Sequence, residues 1–306
     1  MSGPSPSRSV FLEDAAQAGF DEARVAILPV PFESTVTFGR GTSRGPAAIL
    51  DASEQLELYD EQMDAEPYRC GVWTAPPLTG NDVDAEAMAG IVERRFGELL
   101  DAGKWVVMLG GEHSITPGAV RAAATRHEGL QVVQLDAHAD LRESYQGNRW
   151  SHACAMARCI EVAPVRAIGV RSYSREEAQR IRADSPGYRI THAWETEEAD
   201  WIELALEGLR KRPVYLTIDL DYFDPAIMPS TGTPEPGGGR WGPALQLLER
   251  LFREARVVAA DIVELAPIVG LHHPDFTAAR LVYKLIAFAC GGASGGPAPR
   301  GSMRQA

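Results

Sequence analysis

Residues 105–140 read WVVMLGGEHSITPGAVRAAATRHEGLQVVQLDAHAD. An apolar run, Trp105–Leu109, leads into a glycine turn, then an amphipathic stretch over Thr116–His127, then a second apolar run, Leu130–Leu135. The two runs are short and Val-rich, which predicts strands; the stretch between them has helical periodicity. A strand–helix–strand unit of this kind belongs to a parallel sheet. The alternation continues outward. Further strands are expected at Val25–Val30, Val165–Val170, Tyr188–Thr191, Val214–Ile218 and Val257–Val263. Helices are expected from Pro46, a favoured first helical residue, to about Tyr59, and over Asp84–Leu100, His152–Ile160, Ile202–Leu209, Ala244–Arg253 and Phe276–Ala289. Residues 60–81 are Pro-rich and read as irregular. The near-continuous apolar runs predict an α/β fold: a mostly parallel sheet of about eight strands, covered on both faces.

At about 150 residues per domain, 306 residues allow two domains. No linker or internal repeat divides the chain, so the expectation is an N-terminal arm (1–20), one domain (21–290) and a Gly/Pro/Ser-rich tail (291–306) that is disordered. Lys+Arg number 30 against Asp+Glu 42, a net charge of −12 that disfavours nucleic acid as a partner and suits a small cation. No apolar stretch approaches the roughly 20 residues of a membrane span, and the N-terminal residues lack the apolar core of a secretory signal. Cys70, Cys154, Cys159 and Cys290 form no CxxC pair and read as small core residues in a reducing cytoplasm.

In open α/β sheets ligands bind at the carboxyl ends of the strands. There the chain places Gly110-Gly111-Glu112-His113-Ser114, then Asp136-Ala137-His138-Ala139-Asp140, Asp219-Leu220-Asp221 and Glu264, each after its own strand. Alternate residues of an extended segment share a face, so Asp136, His138 and Asp140 can point together, as can Asp219 and Asp221. Taken alone, DxHxD is often a polar strand end or helix cap; the convergence of four strands is the stronger signal. With His113 this makes four carboxylates and two imidazoles, with no Lys or Arg inside the runs to neutralise them. Such a cluster calls for divalent cations, and an oxygen-rich, thiolate-free set suits manganese better than structural zinc. Two such ions can share a water and lower its pKa towards neutrality, giving a hydroxide nucleophile.

GGEHS (110–114), DAHAD (136–140), SHACAM (151–156), DLDYFDPAIMPSTGTPEPGG (219–238) and DIVEL (261–265) together resemble the ureohydrolase family of arginases and agmatinases, in order and over about residues 25–290. The TGTPEPGG form, GRGTSRGP (39–46) and LHHPDFTAARLVYKL (271–285) are most similar to the agmatinase branch. The resemblance implies a three-layer α/β/α fold and two Mn²⁺ per chain. It assigns His113, Asp136, Asp140 and Asp219 to one ion and Asp136, His138, Asp219 and Asp221 to the other, so Asp136 and Asp219 bridge. His152 matches the family's proton shuttle, Glu264 the glutamate that orients the guanidinium, and Thr233 a neighbouring polar contact. It further implies hydrolysis of agmatine to putrescine and urea, and a homo-oligomer, trimer or hexamer. Arginases place an asparagine two residues after the last aspartate of DAHAD; here Arg142 stands there, which disfavours arginine. Arg142 can meet the carboxylate of guanidinobutyrate or pair with Glu143, and Glu33 is a candidate for the far ammonium of agmatine. The alternatives are therefore another amidinohydrolase, guanidinobutyrase ahead of arginase, and more remotely a non-catalytic metal-binding protein. Asp224 reads as a turn residue, His272 and His273 as loop-shaping or a subunit contact, and His127 and His192 as surface or structural.

Overall fold

The computed structural model describes residues 10–80, 82–183 and 187–291; the first residues of the expected arm and all but Gly291 of the expected tail lie outside them. In chain order the elements are β1 (Val25–Val30), α1 (Gly45–Ser53), β2 (Val72–Thr74), α2 (Ala85–Asp101), β3 (Trp105–Gly110), α3 (Thr116–Ala124), β4 (Gln131–Leu135), α4 (Ala155–Cys159), β5 (Val165–Val170), α5 (Arg175–Arg182), β6 (Tyr188–His192), α6 (Trp201–Leu206), β7 (Pro213–Asp219), α7 (Trp241–Glu254), β8 (Arg256–Val263) and α8 (His273–Gly291). The strands form one eight-stranded sheet, ordered β2-β1-β3-β8-β7-β4-β5-β6. Every pairing is parallel.

Neighbouring residues of each apolar run serve opposite faces. Ile27, Val107, Leu109, Val133 and Leu216 pack with Ile49 of α1, Leu247 of α7 and Leu281 of α8. Leu28, Val106, Met108, Val132 and Tyr215 pack with Phe96 of α2, Val120 of α3 and Met156 of α4 on the other side. Burial on both faces explains why the strands read as continuous apolar runs, and it makes three layers.

Three local expectations are corrected. The segment read as irregular contains β2, three residues that pair with β1 at the sheet edge, too short to register as a run. Helix α5 was not expected: its sequence REEAQRIR carries almost no apolar stripe, and it is started instead by a capping box between Ser174 and Glu177. Helix α1 stops at Ser53, well before Tyr59; the Ser53 hydroxyl donates to Leu50 O (2.7 Å) and accepts from Leu12 N (2.8 Å). That second bond ties down residues 10–20, where Phe11, Leu12 and Ala16 are buried. All four cysteines are free thiols, and no helix among the described residues is long and apolar enough to cross a membrane.

The strand order has one further effect. It sets β3, β8, β7 and β4 side by side at the centre of the sheet, so their carboxyl ends open onto one place. β1 lies next to β3, which brings the loop after β1, residues 31–44, to the border of that place.

Candidate active site

The ends of β3, β4 and β7 bring the six expected ligand residues together. His113 Nδ1 lies 3.1 Å from Asp140 Oδ2, 3.3 Å from Asp136 Oδ2 and 3.5 Å from Asp219 Oδ2. His138 Nδ1 lies 2.9 Å from Asp221 Oδ2 and 3.7 Å from Asp136 Oδ1. Two groups spaced to hold an ion result, His113–Asp136–Asp140 and Asp136–His138–Asp221, with Asp136 common to both. Asp219 stands beside the first, and its Oδ1 accepts from Asp221 N at 2.9 Å. Asp136 is held by Gln134 Nε2 on one oxygen (2.7 Å) and its neighbour His138 N on the other (2.6 Å).

Whether these residues suit a cation is tested by His113. Its Nε2 lies 2.9 Å from Thr217 Oγ1. Behind it, facing Thr217, the buried Asp261 accepts from Tyr215 OH (2.6 Å) and Thr116 Oγ1 (2.9 Å). With Nε2 engaged by the threonine hydroxyl, Nδ1 is the nitrogen left to face the three carboxylates. The buried Nδ1 has no hydrogen-bond partner. A bare nitrogen among three carboxylate oxygens is repulsive unless a positive charge sits between them. The donor set therefore fits a divalent cation, and its oxygen-rich, imidazole-containing chemistry suits manganese.

Without the cation, protons take up that role. Burial pushes His113 down, but the Asp136, Asp140 and Asp219 carboxylates around Nδ1 outweigh this and hold it well above the ordinary histidine range. His138 is likewise pushed up to about 12, burial being outweighed by the Asp221 and Asp136 carboxylates. Burial and then the Asp136 charge push Asp140 up to about 7. Burial, with Asp221 and Asp136 beside it, raises Asp219 well above the carboxylate range.

Above the acids lies a cavity of about 170 Å³, lined by these residues and by His152, Glu264, Thr233, Arg142, Tyr145 and Val36–Phe38. It is smaller than the roughly 300 Å³ at which drug-sized pockets begin, which suits a slender ligand. Glu264 follows β8, and its Oε1 accepts from His113 N at 2.7 Å. Burial, with Glu112 nearby, raises its pKa well above the ordinary range. Glu264 and Asp140 both take left-handed backbone conformations, with φ of 67° and 50°. His152 starts the turn before α4. Burial lowers its pKa, with the Glu112 carboxylate pulling the other way.

Two expectations about the substrate's far end are corrected. Glu33 does not line the cavity. Its Oε2 accepts from Gly41 N, Thr42 Oγ1 and Ser43 N at 2.8–3.2 Å, closing the loop after β1 on itself. Arg142 does not pair with Glu143, which is engaged by Arg149, Arg158 and Arg180. Arg142 lies 3.7 Å from Glu177 and over the Tyr145 ring. Asp224 is a turn residue as expected, accepting from Ala226 N and Gly237 N, and His192 stacks on Trp194. Thr35, Gln134, Thr217 and Asp261, which orient site residues, were not foreseen, and Glu112 was noticed only as a letter of GGEHS. The partners of Thr35, Thr217 and Asp261 lie on other elements, so no local spacing marks them.

Eight parallel strands with acids and histidines converging on the central carboxyl ends define a three-layer α/β architecture with a metal-type centre. Residues 23–287 match the arginase family model. The chain is 39% identical over 288 residues to an N(1)-aminopropylagmatine ureohydrolase of Synechocystis sp., covering 91% of this chain and 93% of that one. It is 34% identical over 278 residues to an agmatinase of Bacillus anthracis, covering 89% and 92%. The solved structure of the agmatine ureohydrolase of Thermoplasma volcanium superposes with a TM-score of 0.82 at 31% identity, covering 94% of this chain and 95% of that one. The chain belongs to the arginase family of ureohydrolases, hydrolases that act on guanidino compounds.

Proposed function

We propose that this protein is an agmatinase, hydrolysing agmatine to putrescine and urea, with two manganese ions held by His113, Asp136, His138, Asp140, Asp219 and Asp221. The observation that carries the reading is the buried Nδ1 of His113, without a hydrogen-bond partner, facing three carboxylate oxygens beneath a guanidinium-sized cavity. When bound, the ions supply charge stabilisation and a water activated at neutral pH. The residues of the chain do the rest. Glu264, fixed through His113 N, turns its carboxylate to the guanidinium and holds it by charge-assisted hydrogen bonds, with Thr233 beside it. His152 gives a proton to the leaving amine. The buried walls exclude bulk water and strengthen both interactions.

The far end of the substrate meets Phe38 and Tyr145 at the mouth. Phe38 is 81% exposed, an aromatic face available to an alkyl ammonium. Among the described residues no carboxylate lines the mouth apart from the ligand-type acids and Glu264, and Arg142 is turned towards Glu177, which disfavours guanidinobutyrate and arginine alike. A second reading, hydrolysis of N(1)-aminopropylagmatine, is favoured by the 39% identity to ureohydrolases of that name and by the open aromatic mouth, which leaves an extended amine unobstructed. Residues 21–290 act as one catalytic unit in a cytoplasmic homo-oligomer, trimer or hexamer; light scattering gives the count. The test is urea release from agmatine, N(1)-aminopropylagmatine, guanidinobutyrate and arginine. One of the two amines should exceed arginine in kcat/KM by roughly 10²-fold or more, since the aromatic mouth favours an ammonium and offers arginine's carboxylate no dedicated donors. Preference for guanidinobutyrate that disappears in Arg142→Ala overturns the agmatinase reading and leaves the family intact.

A further inference from the structure

His152 belongs to a chain of hydrogen bonds that reaches away from the ligand residues. Its Nδ1 lies 3.1 Å from Thr35 Oγ1, and its backbone N donates to the same oxygen at 3.0 Å. Thr35 Oγ1 in turn donates to Glu112 Oε1 at 2.9 Å. Glu112 is fully buried and also accepts from Ser114 Oγ (2.5 Å), Ser34 N (2.8 Å) and Thr35 N (2.7 Å).

The protons can be counted. Four donors converge on two oxygens, which is the environment of an ionised carboxylate able only to accept. The single hydroxyl proton of Thr35 must then go to Glu112, because otherwise two lone pairs face each other at 2.9 Å. One Thr35 lone pair takes the His152 backbone N–H, so the other must accept from an Nδ1–H. Ser151 Oγ also approaches Nδ1, but at 3.4 Å.

We propose that Thr35 and Glu112 are positioning residues that fix His152 in its Nδ1–H tautomer and so reserve Nε2 for the reacting amine. The inference rests on the ureohydrolase reading for its chemistry. In that reaction water adds its oxygen to the guanidinium carbon, the C–N bond breaks, and its electron pair goes to the amine nitrogen. Both protons of the water end on that amine, one by way of His152 Nε2, while Nδ1–H stays on Thr35.

The experiment begins with the manganese-loaded protein and the guanidino panel, which tests the functional reading by itself. Thr35→Val keeps the shape and removes the hydroxyl. It should lower kcat roughly 10- to 100-fold with little change in KM, less than the about 10²- to 10⁴-fold of losing the acid itself. Thr35→Ser should restore most of the rate, and Ser151→Ala should leave it intact. Placed on His152→Ala, Thr35→Val should cost almost nothing more. The second readout needs no turnover: ¹⁵N spectra of histidine-labelled protein, with His152 identified by its loss in His152→Ala, should show a protonated Nδ1 and a bare Nε2. Glu112→Gln, whose amide can donate to Thr35 and free the hydroxyl proton for Nδ1, should move His152 towards the opposite tautomer even if Thr35→Val does not fold. An Nε2–H tautomer in the unmodified protein overturns the proposal, as does an equal Thr35→Val loss with and without His152. If no guanidino compound is hydrolysed, the functional reading fails, and the spectra still decide the tautomer.

Discussion

His113 and His152 are supported by the same kind of device in two different parts of the molecule. Each ring nitrogen meets a threonine hydroxyl, and a buried carboxylate stands behind each threonine: Asp261 behind Thr217, and Glu112, which accepts from the hydroxyl, behind Thr35. The first threonine and its acid lie within β7 and β8, in the centre of the sheet. The second threonine lies in the loop after β1, which also carries Val36–Phe38 to the mouth of the cavity. The ring nitrogens engaged also differ, Nε2 in His113 and Nδ1 in His152. The ligand side of the site is thus fixed by the same packing that folds the core. The His152 side, the proposed proton donor, is fixed by a loop that also borders the cavity.

The largest effect should come from breaking the sheet side. The unmodified protein should carry about two manganese ions per chain, measured by elemental analysis. Asp136→Asn or Asp219→Asn should empty at least one position and cost roughly 10³-fold or more in turnover, since each ion supplies several kcal/mol. Full metal content with full activity in either variant defeats the ligand assignment. Next, His152→Ala should lower kcat by roughly 10²- to 10⁴-fold with metal content unchanged, because it touches only the donor side. Metal loss in that variant means that the two sides are not separable. Third, Thr217→Val should weaken manganese binding by about 10- to 100-fold, the usual effect of removing a partner of a ligating histidine. At saturating metal its kcat should recover, whereas that of Thr35→Val should not; titration of activity against manganese distinguishes them.

The smallest effect concerns pH and the metal-free protein. Asp140 is pushed up to about 7 by burial and Asp136, so the folded chain holds its proton over a range where the unfolded chain, near 4, has lost it. Stability from this group is therefore lost as pH rises from about 4 to 7. Metal-free Asp140→Asn should gain a few °C in melting temperature between pH 4 and pH 8 relative to the unmodified protein, at about 2–4 °C per kcal/mol. Added manganese should reverse the order. A gain that does not change with pH assigns the effect to backbone preference rather than charge.

The same division separates what could be read in the sequence from what could not. The apolar runs of β3, β4, β7 and β8 are continuous because both faces are buried, so the acids that end them stand out against the run. That contrast marks His113, Asp136, His138, Asp140, Asp219, Asp221 and Glu264 as candidates, and folding brings them together. Thr35 had no such contrast: it sits in an irregular loop 77 residues from Glu112 and 117 from His152, and only folding makes them neighbours. Thr217 was hidden for the opposite reason, as one more β-branched residue inside a strand. Helix α5 was missed because it has little apolar stripe, although Ser174 followed three residues later by Glu177 is a legible start signal. Arg142 and Glu33 were misjudged because long charged side chains reach partners that sequence proximity does not reveal.

The backbone at Asp140 and Glu264 carries a consequence for how such a chain can change over time. Left-handed φ values at residues other than glycine each cost on the order of 1–3 kcal/mol, a notable fraction of the roughly 5–15 kcal/mol by which a domain is stable. Glycine, or asparagine, would relieve much of this at either position. Selection for stability alone would therefore drift towards those residues and erase the two carboxylates. A lineage that has lost its catalytic duty should show the loss first at 140 and 264, while the packed strands that lead to them persist.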